Sequence, residues 1–101
     1  MLRAHSVTVT PLSESDLLAI RGYLAVESVA IADLVHGELL KAIASLKRVP
    51  ERFPLARQKR LRAEGIRATV AVSYRIYFVV DGPDVRVLRV WHVARKPPPV
   101  L

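Results

Sequence analysis

The sequence predicts an α+β fold: a helical hairpin packed on a small antiparallel sheet, in the order β-α-α-β-β-β. Three observations carry this. Two apolar stripes of helical period lie between residues 14 and 48. A short β-branched run precedes them, and three strand-like runs follow Pro54. The 101 residues show no repeat and no composition break, so one domain is expected over 1–101.

Val7-Thr8-Val9-Thr10 alternates, is β-branched and ends at Pro11, which predicts the first strand. Ser13 or Ser15 then offers an N-cap, with Glu14 and Asp16 favourable in a first helical turn. Leu17, Ile20, Leu24 and Ala25 recur at helical spacing and predict a helix over 14–27. Ser28 is the next candidate cap. Ala32, Val35, Leu39, Ala42, Ile43 and Leu46 continue the pattern, predicting a second helix over 29–48. Gly37 inside it costs about 1 kcal/mol relative to Ala. The short link makes the two helices an antiparallel hairpin.

Pro50 and Pro54 end the helical region. Residues 51–64 are polar, basic and poorly periodic, and read as a loop or a frayed helical turn. Ile66, Ala68 and Val70 alternate with Arg67, Thr69 and Ala71, predicting a strand. Tyr74 to Val80 is the strongest strand signal in the chain. Asp81-Gly82-Pro83-Asp84 is a turn by residue type, and Val85 to Val93 completes a hairpin. Pro97-Pro98-Pro99 cannot pair in a sheet and should be extended polyproline. With helices on one face only, the other face of the sheet should stay partly open to a partner.

The charge is unevenly placed. The net charge is +7, yet residues 1–50 hold five basic and five acidic side chains, while 51–101 hold eleven and four. Such asymmetry points to an acidic partner, either nucleic acid or an acidic protein segment; the plain alternative is a basic surface tuned for solubility. No cysteine is present, which excludes disulfides and thiolate metal sites and suits a reducing, cytoplasmic setting. No apolar run approaches the roughly 20 residues of a membrane span, so no membrane partner is expected. Met1 to Ser6 carries one positive charge and no apolar h-region, so no signal peptide is read there. There is no Gly-rich phosphate loop, no nucleophile elbow and no His/Cys metal spacing, so neither cofactor nor metal is expected.

Candidate functional residues concentrate in the second half. Of three histidines, His5 lies in the N-terminal tail and His36 reads as a solvent-exposed helix residue. His92 ends the last strand, beside Trp91 and three residues before Arg95; a structural or partner-contact role is read ahead of acid–base work. Arg67, Arg75 and Arg89 each lie inside a predicted strand. Period two puts Tyr74, Ile76, Phe78 and Val80 on the core face, and Arg75, Tyr77 and Val79 on the open one. In the last strand, Leu88 and Val90 alternate with Arg89 and Trp91, placing the latter pair on the open face. His92 shares parity with the core residues unless twist or a bulge re-aims it. Guanidinium groups suit phosphates or carboxylates, which they bind bidentately. Internal pairing is the alternative, but nine carboxylates cannot match sixteen cations. Arginines interleaved with Tyr74, Tyr77 and Trp91 fit RNA stacking and protein binding equally well.

Several stretches together resemble a known family. They are Val7-Thr8-Val9-Thr10-Pro11, Asp16-Leu17-Leu18-Ala19-Ile20-Arg21-Gly22-Tyr23-Leu24, Gly65-Ile66-Arg67, Ser73-Tyr74-Arg75-Ile76-Tyr77-Phe78-Val79-Val80 and Val87-Leu88-Arg89-Val90-Trp91-His92-Val93-Ala94-Arg95. The pattern is similar to the RelE/ParE toxin superfamily of type II toxin–antitoxin systems, especially its ParE (plasmid-stabilisation) branch. The Tyr-Arg-Ile and Leu-Arg-Val-x-His-x-x-Arg segments are its most specific parts. The resemblance implies two helices against a small sheet, as read above. ParE-type toxins are not nucleases: they act on DNA gyrase and are neutralised by a cognate antitoxin that wraps the toxin. RelE-type toxins share the fold and cleave mRNA on the ribosome, using basic residues, and in some members a Tyr or His, on the open sheet face. By resemblance, Arg75 matches the Arg that follows Tyr in both branches. Arg67, Arg95 and His92 match positions that carry basic or acid–base residues in some nuclease members. The strand from Ile66 has one Arg and no Lys pair, and Lys96 to Leu101 holds no Tyr-bearing helix. Both departures favour the ParE-like reading, with gyrase as target, over the ribosome and mRNA. The implied antitoxin would be acidic and fold on binding, meeting Arg67, Arg75, Tyr77, Arg89, Trp91, His92 and Arg95.

Overall fold

Thr10 caps the first helix, three residues before Ser13 and five before Ser15, the two serines that local sequence offers as caps. Its backbone is extended, its Oγ1 accepts from the Ser13 amide at 3.3 Å, and Pro11, with φ preset and no amide to satisfy, takes the first helical position. The chain is described here from a computed structural model covering residues 3–99 and 101; Met1 and Leu2, part of the stretch read for a leader, and Val100 lie outside the described residues. Helix α1 runs Pro11–Glu27. Ser28 caps α2, Val29–Ala44, its Oγ accepting from the Ile31 amide at 3.1 Å.

The second helix ends four residues before the predicted boundary. Its last turn tightens into a 3₁₀ segment, Ser45–Lys47, and Val49 follows with a left-handed φ of 42°. The Arg52 guanidinium folds back onto the carbonyls of Ser45, Arg48 and Val49, covering acceptors that a helix end leaves bare. Residues 51–64 are not a plain loop. Pro50–Arg52 forms a second 3₁₀ turn and Lys59–Ala63 a short helix, α3.

The strands are β1 (Ser6–Val9), β2 (Arg67–Ala71), β3 (Tyr74–Asp81) and β4 (Asp84–His92), in the spatial order β1-β4-β3-β2. The β2–β3 and β3–β4 pairs are antiparallel, as expected. The β1–β4 pair is parallel, so the sheet is mixed rather than wholly antiparallel. The reason is connectivity: the helical hairpin and α3 carry the chain across to the far edge of the sheet. The strand that returns beside β1 is then the last one, and it runs the same way.

Two apolar clusters sandwich the sheet. On one face Leu17, Leu39, Ile43 and Leu46 of the helical layer meet Tyr74, Ile76, Phe78, Val85, Val87 and Val90. On the other, Ala56, Leu61 and Ile66 close over Tyr77, with Leu88, Trp91 and Leu101 against them. The second face is therefore partly covered, around Tyr77. Tyr77, read as facing a partner, is 0 % exposed. The Pro97–Pro99 stretch pairs with no strand, and Pro98 is itself buried.

A bulge in β4 resolves the parity of the last strand. Tyr77 pairs with Arg89 but Phe78 pairs with Val87, so Leu88 is the extra residue. Val87 and Val90 consequently face the same core although they differ in parity, and His92 follows Val90 to the helix side. The Tyr77 hydroxyl is buried and has no hydrogen-bond partner among the described residues. An unsatisfied buried hydroxyl opposes folding. Tyr77→Phe should therefore raise stability by about 1 kcal/mol in urea unfolding at unchanged slope; destabilisation would show that the hydroxyl is satisfied in solution.

Candidate functional site

Strand β1 pairs only with residues 84–87 of β4, so the rest of that edge needs other partners. The start of α1 supplies them. The Ser13 hydroxyl lies 2.9 Å from the Val87 carbonyl oxygen, and Thr10 Oγ1 lies 3.4 Å from that of Leu88. Asp16 Oδ2 accepts from the Val90 amide at 3.0 Å. The same carboxylate receives Arg89 in a fork: Nε to Oδ2 at 2.7 Å and Nη2 to Oδ1 at 2.9 Å. Both side chains are about nine-tenths buried, 9 % and 12 % exposed. Arg89 therefore does not present its charge on a free sheet face, as alternation implied. The bulge and the carboxylate turn it toward α1.

Past this pair the chain winds around Trp91. The indole Nε1 donates to the Lys96 carbonyl at 2.7 Å. The Arg95 guanidinium lies 3.6 Å from the ring centroid and that of Arg89 4.6 Å. The Ala94 amide donates to His92 Nδ1 at 3.0 Å, which leaves Nε2 to carry the proton of the neutral ring. The His92 and Tyr74 rings meet edge-to-face at 5.2 Å. Burial, and then the charge of nearby Tyr23, raise the Tyr74 phenol above its ordinary value near 10.

These residues enclose a groove of about 550 Å³ between α1 and the end of β4. Ile20, Leu24 and Val90 contribute its apolar side chains; Tyr23, Tyr74, Trp91, His92 and Arg95 contribute its aromatic and basic ones. Its one carboxylate, Asp16, is committed to Arg89 and Val90, so His92 has no free carboxylate beside it to orient a proton transfer. The chemistry suits an apolar or aromatic side chain with an acidic group at its edge. Among the described residues, no group of His, Cys, Asp or Glu is placed to hold a metal ion, and no helix is long and apolar enough to cross a membrane.

Comparison with known proteins places this architecture. The profile of the family described as "ParE toxin of type II toxin-antitoxin system, parDE" matches residues 7–97. The chain belongs to the ParE toxin family. Among solved structures, it is similar to the chromosomal ParDE toxin–antitoxin system from P. aeruginosa, with a TM-score of 0.77 and 19 % identity over 89 % of this chain and 97 % of that one. It is also similar to the RelBE2 toxin–antitoxin complex from Mycobacterium tuberculosis, with a TM-score of 0.61 and 23 % identity over 88 % and 98 %. At these identities the likeness is one of fold. No curated protein matches in sequence.

In this ParE-family chain the residues singled out from sequence do not form one constellation. Trp91, His92 and Arg95 share the groove, with Arg89 tied to its wall through Asp16. Arg67 donates to the carbonyls of Phe53 at 2.6 Å and Glu51 at 3.3 Å, pinning the crossing segment to β2. Arg75 lies across the sheet, beside Arg57 and Gln58 in a smaller cleft. Tyr77 is buried between sheet and α3. Sequence reasoning missed Tyr23 and Asp16 as site residues. By local sequence Asp16 is a helix-start acid, and its partner lies 73 residues away.

The buried pair generates one expectation. Asp16→Ala would take the carboxylate away from a desolvated guanidinium and leave the Val90 amide bare, so it should lower stability by about 3–5 kcal/mol in urea unfolding. A loss under about 1 kcal/mol would mean the pair is solvated and weak. Tyr74 generates another. Its folded pKa exceeds the unfolded one, so its contribution is intact below pH 10 and declines as pH rises from there through the raised value. Stability measured across that alkaline window should fall less steeply in Tyr74→Phe than in the parent; equal slopes would refute the assignment.

Proposed function

We propose that this chain is the toxin of a type II toxin–antitoxin module, acts in the cytoplasm by binding and inhibiting DNA gyrase, and is silenced by a cognate antitoxin that folds onto it. Family membership supports the module. The choice between the two target classes rests on one observation, the burial of Tyr77 beneath Ala56, Leu61 and Ile66. The superfamily's mRNA-cleaving branch works on an open sheet face with basic and acid–base groups gathered there. Here an apolar cluster covers Tyr77 in the middle of that face, and the cations of α3 stand outside it. Arg67 is spent on backbone carbonyls and Arg89 on Asp16. What is left exposed favours recognition of a large protein surface over bond cleavage.

The antitoxin reading draws on the helical side. Leu18, Tyr23 and Val26 on α1, and Val29, Ile31 and Leu34 on α2, are each at least half exposed. Exposed apolar side chains in that number mark a protein-binding surface. They lead into the groove, where Trp91, His92 and Arg95 would receive an acidic, partly disordered segment. The alternative, ribosome-dependent mRNA cleavage, draws on the same groove, because His92, Tyr74 and Arg95 line it together.

The two readings part in one pair of assays. The purified chain should inhibit supercoiling by gyrase, and adding the product of an adjacent antitoxin gene should restore it. In a translating extract it should leave mRNA intact. Unimpaired supercoiling, together with mRNA cleavage that His92→Ala abolishes, would replace the gyrase reading with the nuclease one.

A further inference from the structure

Almost all of the excess positive charge sits in one stretch. Residues 52–75 hold seven cations against a single carboxylate, Glu64, in a chain whose net charge is +7. The fold lays the part around α3, with Arg57, Lys59, Arg60, Arg62 and Arg75, on the side of the sheet away from the helical hairpin, since α3 packs its Leu61 against Tyr77 while the hairpin packs against Ile76 and Phe78; Arg52 and Arg67 stay with Phe53 at the hairpin side. The salt bridges of the described residues engage Arg21, Lys41 and Arg89, and none of the seven. Arg52, Arg60 and Arg67 touch only backbone carbonyls and the Phe53 ring, so their charge is not neutralised. Arg57, Lys59 and Arg62 are exposed on or beside α3. Arg57 and Arg75 converge on a cleft of about 380 Å³ that also holds Gln58.

The helical hairpin thus carries most of the exposed apolar surface and the α3 side the larger cluster of cations, with Leu55 and Val70 beside the basic cleft. Eight large exposed apolar residues of α1 and α2 lie on one side. The other is a cationic belt, richer in Arg and Lys than a protein-binding surface usually is and close to what a phosphate backbone meets. It also lacks a stacking platform. Phe53 lies under Arg52, Trp91 carries two guanidinium groups, and Tyr77 is buried. Single-stranded nucleic acid is held largely by exposed aromatic rings, so the belt fits a duplex better.

We infer that the α3 face of this toxin binds the phosphate backbone of duplex DNA without base readout, with Arg57 and Arg75 gripping one phosphate at the cleft and Lys59, Arg60 and Arg62 tracking its neighbours. This contact is separate from the groove and does not depend on which protein the toxin inhibits. If the target is an enzyme that holds DNA, the belt adds a second point of attachment beside the protein contact.

The test is fluorescence anisotropy of the purified full chain with a labelled duplex of arbitrary sequence, titrated between 50 and 200 mM salt. For about four neutralised phosphates the logarithmic salt slope is near −3.6, so affinity should fall about 150-fold across that range. The variant Arg57→Gln/Lys59→Gln/Arg62→Gln, checked for native circular dichroism, should lower the slope by about 2, since Arg75 still holds the phosphate that it shares with Arg57. An equal charge removal elsewhere, Arg3→Gln/Lys41→Gln/Lys47→Gln, should change it by less than about 1. Absence of duplex binding at 50 mM salt would overturn the proposal. So would equal loss in the two variants, which would mean net charge alone attracts the DNA. Competition by a single strand or by polyglutamate as effective as that by unlabelled duplex would assign the belt to a different occupant.

Discussion

The carboxylate of Asp16 is the joint between the two halves of this molecule. Strand β1 is four residues long and covers less than half of β4. Beyond it the β4 edge would face the helical layer with bare amides and carbonyls. A carboxylate can accept several hydrogen bonds at once, and Asp16 uses that capacity to hold the Val90 amide and both arms of the Arg89 fork. Removing two charges from water carries a large desolvation penalty, which only near-ideal geometry offsets. The result fixes the height and angle of α1 over the end of β4. With the Ser13 and Thr10 contacts before it, that attachment sets α1 across from the β4 residues that line the groove.

The bulge at Leu88 serves the same joint. Without the extra residue, Val87 and Arg89 would share a face, and a guanidinium would enter the apolar layer filled by Ile76 and Phe78. With it, Val85, Val87 and Val90 all reach the core, while Arg89 is freed to turn along the sheet toward α1. One inserted residue therefore reconciles a continuous apolar layer with a buried ion pair. It also sends His92 to the helix side, beside Tyr74.

How much of this the sequence displays depends on the range of the interaction. The helices are legible because Leu17, Leu39, Ile43 and Leu46 repeat at helical period within each segment. Strand β3 is legible for the same reason at period two. The parallel pairing of β1 is not, because it is set by the path of the whole chain. Period two is blind to an inserted residue, so Leu88 is read on the core face with Val90, whereas it packs on the other side. Residues 51–64 hide a five-residue helix whose only large core side chain is Leu61, too few repeats to register as a period. For Tyr77 the parity is right, and the surprise is what covers it. Asp16 is visible as a helix-start acid, but nothing local to residue 16 announces Arg89.

The helical hairpin carries features that its own folding does not explain. Gly22 and Gly37 lie inside helices, where each costs about 1 kcal/mol relative to Ala. A methyl group added at either position would meet nothing within 4 Å, so neither glycine is required by a contact inside the chain. Around them stand Leu18, Val26, Ile31 and Leu34 with half or more of their surface in water. By contrast the α3 side buries Leu61 completely and exposes Arg57, Lys59, Arg60 and Arg62. A chain selected for stability alone would place small, strong helix formers such as Ala at the glycines and polar residues at the exposed leucines. The pattern becomes economical once a partner covers the hairpin, because a ligand that binds only the folded state adds RT ln(1 + [L]/Kd) to its stability. On the antitoxin reading the toxin is then weakest when bare and strongest when silenced.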